Sequence, residues 1–126
     1  MAGFYLFNQN NSGGYTVVDD VAGIGDYVFI WATSADGANK KAEEVGMFSL
    51  SYCQCCGERF YSAWEDDEPI KNGDSGRFFS VREDINIFFH LPSGEIKKAF
   101  IPNDNGRTLS VEYIWDEEIV KTLTSN

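Results

Sequence analysis

Residues 27–32 read Tyr-Val-Phe-Ile-Trp-Ala, six consecutive apolar side chains of mostly β-branched and aromatic type. A strand sends successive side chains to opposite faces, so this one needs cover on both. It predicts a central strand of a sheet. A helix is expected at once after it. Thr33 or Ser34 can cap that helix by accepting from first-turn N–H groups that have no partner of their own. Ala35, Ala38, Ala42 and Val45 recur at helical spacing on one stripe, and Lys40, Lys41, Glu43 and Glu44 mostly cover the other side. Gly46 stands where a left-handed cap is expected. The stripe is narrow and alanine-rich, so the helix (about 34–45) should lie close on the sheet.

Other segments alternate with a period of two. Phe4 to Phe7 is apolar on both faces and predicts a buried strand. Residues 8–14 have the composition of a loop, Tyr15 to Val18 suggest a second short strand, and the Gly-containing stretch from Asp20 to Asp26 turns the chain. Phe78 to Arg82 predicts a strand. Ile85, Ile87, Phe89 and Leu91 alternate with Asn86, Phe88 and His90, and Glu95 to Ile101 follows the tight turn Pro92-Ser93-Gly94, so the two should form a hairpin. After the turn Asn103-Asp104-Asn105-Gly106, alternation returns at Leu109, Val111, Tyr113 and Trp115. Ile119, Val120 and Leu123 suggest one or two closing helical turns. The sum is α+β: a mostly antiparallel sheet of about six or seven short strands, with one main helix packed on one face. At 126 residues the chain suits a single globular domain, 1–126.

Charge narrows the partners. Twenty acids against ten bases give a net charge of −10. Phosphate neutralisation needs clustered Lys and Arg, so direct nucleic-acid binding is disfavoured, as is adhesion to an anionic membrane. No base precedes Lys40, whereas Asp19, Asp20, Asp26 and Asp36 do. Such an imbalance serves solubility through self-repulsion, or forms an acidic face that docks on a basic partner. The longest apolar run, Tyr27 to Ala32, is far short of the ~20 residues that cross a bilayer. Met1 to Leu6 lacks the basic region and long apolar stretch of a signal peptide. A soluble, intracellular chain is expected.

All three cysteines fall in Cys53-Gln54-Cys55-Cys56. An odd number within four residues is not a disulfide framework, which points to a reducing compartment. Cys53-x-x-Cys56-Gly57 has the spacing of a zinc knuckle: two thiolates on a tight turn can face one ion, and nearby N–H groups can donate to the sulfurs. Cys55 can replace one of the pair, join as a third ligand, or point into the core. The only histidine, His90, is the natural further ligand. The candidate zinc set is therefore Cys53, Cys55, Cys56 and His90. The competing reading makes the thiols small hydrophobes and His90 an ordinary hydrogen-bonded strand residue. A thiol nucleophile needs a neighbouring base and an oxyanion site, and no motif signals either. Glu65-Asp66-Asp67-Glu68 reads as a solvated acidic loop. Gly23-x-Gly25 lacks the third glycine and the following helix of a dinucleotide fingerprint. Tyr52, Phe60, Tyr61 and Trp64 surround the cysteines as a local core or an aromatic contact surface.

Three stretches resemble a group of small uncharacterised tailed-bacteriophage proteins. They are residues 27–32 with 34–44, the segment Cys53-Gln54-Cys55-Cys56-Gly57-Glu58-Arg59-Phe60-Tyr61, and more loosely His90-Leu91-Pro92-Ser93-Gly94. The most specific part is the motif Cys-x-Cys-Cys-Gly-(Asp/Glu)-Arg-aromatic; members often have Trp at the position of Phe60. The resemblance carries no activity. It implies a viral accessory protein in the cytoplasm of an infected bacterial host. With the acidity and the lack of a catalytic constellation, it leads to the expectation of a small phage-encoded protein that binds and modulates a host protein, one with a basic surface, and is not an enzyme. The alternatives are a DNA mimic that inhibits a nucleic-acid-binding host or defence enzyme, and a cysteine-dependent enzyme.

Overall fold

The computed structural model describes residues 2–9, 17–49, 60, 63, 69–70, 78–81 and 83–124. In chain order the described elements are β1 (Gly3–Asn8), β2 (Tyr27–Ala32), α1 (Ala35–Glu44), β3 (Phe78–Val81), β4 (Ile85–His90), β5 (Ile96–Ile101), β6 (Arg107–Ser110) and α2 (Glu117–Thr124). The class is α+β, as the periodicities predict. β2 is central, in a sheet ordered β1-β2-β4-β5.

The sheet is mostly antiparallel, as expected, though not purely so, and its strand count needs correction. It is mixed: β2 and β4 pair in parallel, from Tyr27↔Ile87 to Ile30↔His90, while β1–β2 and β4–β5 are antiparallel. The main sheet also holds four strands, fewer than expected, and β3 and β6 form a separate antiparallel ribbon. The reason is connectivity. A long crossover containing α1 separates β2 from β4, and such a crossover is what parallel neighbours require. Side-chain period reports that a strand exists and which face is apolar, but not which strand lies beside it.

Both faces of the sheet are covered. On one, Tyr5, Phe7, Val28, Ile30 and Ala32 pack against Ala35, Ala38 and Ala42 of α1, with Met47 and Phe60. Ser34 caps α1 from extended backbone, its Oγ accepting from the Gly37 N–H at 3.1 Å. Gly46 closes the helix in the left-handed region, at φ 87°. On the other face Phe4, Phe29, Trp31, Ile87 and Phe89 meet Val81, Leu109 and Ile119. Phe29 stacks on Phe89 with centroids 4.7 Å apart, and Phe4 meets Trp31 and Phe89 edge-on at 5.2 and 5.6 Å. Such pairs add about 0.5–1.5 kcal/mol each beyond their buried area.

The Pro92-Ser93-Gly94 hairpin forms as expected, with the Leu91 N–H donating to Glu95 O at 2.9 Å. The alternation after Leu109 does not continue as a strand. β6 ends where its ladder with β3 ends, at Phe78↔Ser110, and Val111–Ile114 make a 3-10 turn. The turn lets Ile114 and Trp115 pack against the aromatic face beside Ile119, while Tyr113 stays exposed. Asp116 then caps α2, its Oδ1 accepting from the Ile119 N–H at 2.9 Å. Val17 and Val18 lie outside any strand, and Tyr15 and Thr16 lie outside the described residues.

Candidate functional site

The face that carries α1 also presents Asn86, Phe88 and His90 of β4, and Ile96, Lys98 and Phe100 of β5. Residues 17–26 cover that half. The brace is Gln9, the one buried polar side chain among the described residues. Its Nε2 donates to Val17 O at 3.0 Å and to Gly25 O at 2.8 Å, and its Oε1 accepts from the Val17 N–H at 2.8 Å. One amide thus satisfies both ends of the loop as a neighbouring strand would.

The loop is fixed at further points. Asp19 Oδ1 accepts from the N–H groups of Val21 and Ala22, both at 3.0 Å, an Asx turn. Asp19 and Ile24 exchange backbone hydrogen bonds at 2.9 and 3.0 Å. Asp26 Oδ2 accepts from the Asn86 N–H at 2.8 Å, and Asp20 pairs with Lys98 at 2.7 Å. Two glycines permit the close approach to β4 and β5. A Cβ on Gly25 would stand 2.5 Å from Asn86 O. Gly23, at φ 78°, faces the His90 ring and Ile96, and a Cβ there would meet them at 2.7 and 2.8 Å.

What this bracing presents is apolar. Val21, at the tip, is 91% exposed; Val18 is 41% exposed and Phe100, on β5, 53%. Gly23 lies against Ile96 and Asp20 pairs with Lys98, so the loop runs beside β5. Asp19 and Asp20 frame the tip.

His90 takes a role in this loop. Its Nε2 lies 2.8 Å from Gly23 O. A carbonyl only accepts, so Nε2 carries the hydrogen. Burial pushes the His90 pKa below its ordinary value; the Gly23 carbonyl opposes this and the Lys41 charge adds to it. The side chain is therefore a neutral latch between β4 and the loop. Lys41 itself donates to the Trp31 carbonyl. Only Nδ1 of His90 remains for a metal. Cys53, Cys55 and Cys56 lie outside the described residues, as do Tyr52, Tyr61, Trp64 and the acidic run 65–68. Among the described residues no three His, Cys, Asp or Glu side chains gather to hold an ion. Phe60 is buried under α1, and Asn39 exchanges two hydrogen bonds with the Ala63 backbone, at 2.7 and 2.9 Å. These contacts anchor the chain just beyond the cysteines.

Two other surface features are simpler. A cleft of about 510 Å³ at the start of α1 is lined by Ser34, Ala35, Asp36, Asn39 and Ala63. Ser34 already caps the helix there, and Asp36 pairs with Lys40 at 3.5 Å. On the aromatic face Lys97 bridges Asp116 and Glu118 at the start of α2. The two carboxylates raise the Lys97 pKa, and that of Asp116, in spite of desolvation, is held low by Lys97.

Sequence reasoning missed Gln9, the second residue of the polar stretch 8–14. No local signal marks it, because its partners lie eight and sixteen positions away. Gly23 and Gly25, which lack the rest of a dinucleotide fingerprint, serve close backbone approach here.

The fold and the braced loop define a small α+β domain with an apolar tip set in an acidic frame. Residues 2–110 match the family model described as "Domain of unknown function (DUF7296)", and the chain belongs to that family. No match was found among curated proteins or among solved structures. No helix among the described residues is long and apolar enough to cross a membrane.

Proposed function

We propose that the chain is a small acidic, phage-encoded accessory protein that binds and modulates a host protein in the cytoplasm of the infected bacterium. The observation that carries this reading is the braced loop 17–26, which holds Val21 almost wholly in solvent. A β-branched apolar residue at the tip of a fixed loop gives the fold nothing, yet it is pre-organised for burial against a partner. The acids around it and the net charge of −10 favour a partner whose contact surface is basic. The resemblance to tailed-bacteriophage proteins supports the setting. The DNA-mimic reading gains less support, since Asp20, Asp36, Asp104 and Asp116 are paired with Lys or Arg rather than free to act as phosphates.

The test compares immobilised wild type with Val21→Asp in host lysate at moderate and high salt. A specific partner held by the wild type, weakened by salt and lost from the variant, is the expected result. Equal retention by both forms, or no specific partner at moderate salt, overturns the reading.

A structural zinc on Cys53 and Cys56, completed by Cys55 or by Nδ1 of His90, accompanies this proposal. Purified chain is then expected to hold on the order of one zinc per molecule, and Cys53→Ser to lose it. Metal-free wild type that melts like Cys53→Ser removes the site.

A further inference from the structure

The turn that joins β5 to β6 contains the one described residue other than glycine with a positive φ: Asn105, at 52°, followed by Gly106 at 82°. Asn-Gly suits such a turn because both residues tolerate the left-handed region. The pair is also chemically reactive. With no side chain on Gly106, its backbone nitrogen can reach the Asn105 side-chain amide and close a five-membered ring. In this turn the reaction is blocked. The Gly106 N–H donates to Val81 O at 2.9 Å, which keeps the proton on the nitrogen that must attack. Val81 is fully buried, and its carbonyl also receives the Asp104 N–H at 3.2 Å. The Asn105 N–H donates to Asn103 Oδ1 at 3.0 Å, and the Asn103 N–H to Asp84 Oδ1 at 2.8 Å. The Asn105 side chain itself is exposed.

We propose that Asn105 is a latent self-modification site, held inert by this turn and converted to aspartate or isoaspartate when the turn opens. On opening, the Gly106 N–H loses its proton to solvent hydroxide and the nitrogen attacks Cγ of Asn105. The bond from Cγ to the side-chain nitrogen breaks, and ammonia leaves with a proton from water. One water then hydrolyses the cyclic imide at either carbonyl, giving aspartate or isoaspartate. Neither product restores the Asn105 amide. Both add a negative charge beside Asp104, and isoaspartate also lengthens the backbone by one carbon, which breaks the register of the Gly106–Val81 hydrogen bond. An opened turn is thereby recorded in covalent form, and each event makes the acidic chain more so.

The rate should follow the population of the open turn, because opening and closing are fast relative to the chemistry. The experiment incubates the whole chain in mildly alkaline buffer, with and without concentrated urea. Peptide mass mapping follows the gain that accompanies exchange of NH for O. The chain's other Asn-Gly pair, Asn72-Gly73, serves as the internal clock of the urea arm. Conversion at Asn105 is expected to be about a hundredfold slower in the folded chain than in urea. Asp84→Ala and Asn103→Ala each remove one anchor of the turn, and each should speed conversion in buffer about tenfold with little change in melting temperature. Equal rates with and without urea overturn the proposal. So does an Asn105 that stays intact in urea while Asn72 converts, or anchor variants that fold and react no faster than wild type.

Discussion

The two faces of the sheet are filled by opposite means. Under α1 the contact is made of alanines: Ala38 and Ala42 are fully buried, and the helix backbone comes close to Val28 and Ile30. Across the sheet the contact is made of rings, Phe4, Phe29, Trp31 and Phe89, and the ribbon of β3 and β6 with α2 closes over them. Small residues leave no room to add atoms. Large residues leave a void when atoms are removed. The two halves of the core should therefore fail under opposite substitutions.

The largest effect is expected at Phe29, which stacks on Phe89. Phe29→Ala should cost about 3–5 kcal/mol, read as a drop in urea midpoint at unchanged slope. Ala38→Leu tests the other face, where overpacking should cost about 1–3 kcal/mol. If Ala38→Leu proves harmless while Phe29→Ala is severe, the α1 face is looser than its alanines imply and the comparison breaks. Gln9→Ala leaves the polar groups of Val17 and Gly25 without their partner, which should cost about 1–3 kcal/mol. The loss should be local: amide exchange is expected to quicken over residues 17–26 and not in β2. Uniform quickening would mean that the loop and the alanine face open as one unit.

The smallest effect concerns pH. The His90 pKa lies below its unfolded value, chiefly through burial, so between the two values the unfolded chain binds more protons. Stability is full above the unfolded value of about 6.5 and declines as pH falls through it toward the folded value. His90→Gln should reduce that decline relative to wild type, measured as urea midpoints on either side of the window. Parallel pH profiles in the two proteins would show that the latch to Gly23 does not titrate.

Legibility followed distance along the chain. Ser34, the Ala35-Ala38-Ala42 stripe and Gly46 carry α1 within a dozen residues, and the helix stands within a residue of its expected bounds. The β4–β5 hairpin was as plain, because the turn at Pro92-Ser93-Gly94 lies between its strands. What the pattern concealed depends on partners far away. Nothing local in Tyr27–Ala32 says that its second neighbour is parallel, and Val111 to Trp115 keep a strand's alternation although the β3 ladder has ended. The candidate site divides in the same way. Asp19 and Asp20 can be read directly from the sequence, whereas the exposure of Val21, the brace at Gln9 and the His90–Gly23 contact arise only after folding. His90 was singled out as the only histidine, and its Nε2 proved to serve the loop.

The pairing of β2 also sets an order of events during synthesis. Its first neighbour, β1, has already left the ribosome when β2 emerges, and α1 follows directly. Its second neighbour, β4, lies about 60 positions further on, as Tyr27↔Ile87 records. Until that strand appears, the most apolar segment of the chain has an open edge and a bare aromatic face, the state in which nascent chains stick to one another. Through that interval the emerged part carries Asp19, Asp20, Asp26 and Asp36 around β2 and α1. The 84 residues before β4 hold fourteen acids against six bases, so growing chains repel one another while contact order makes completion slow.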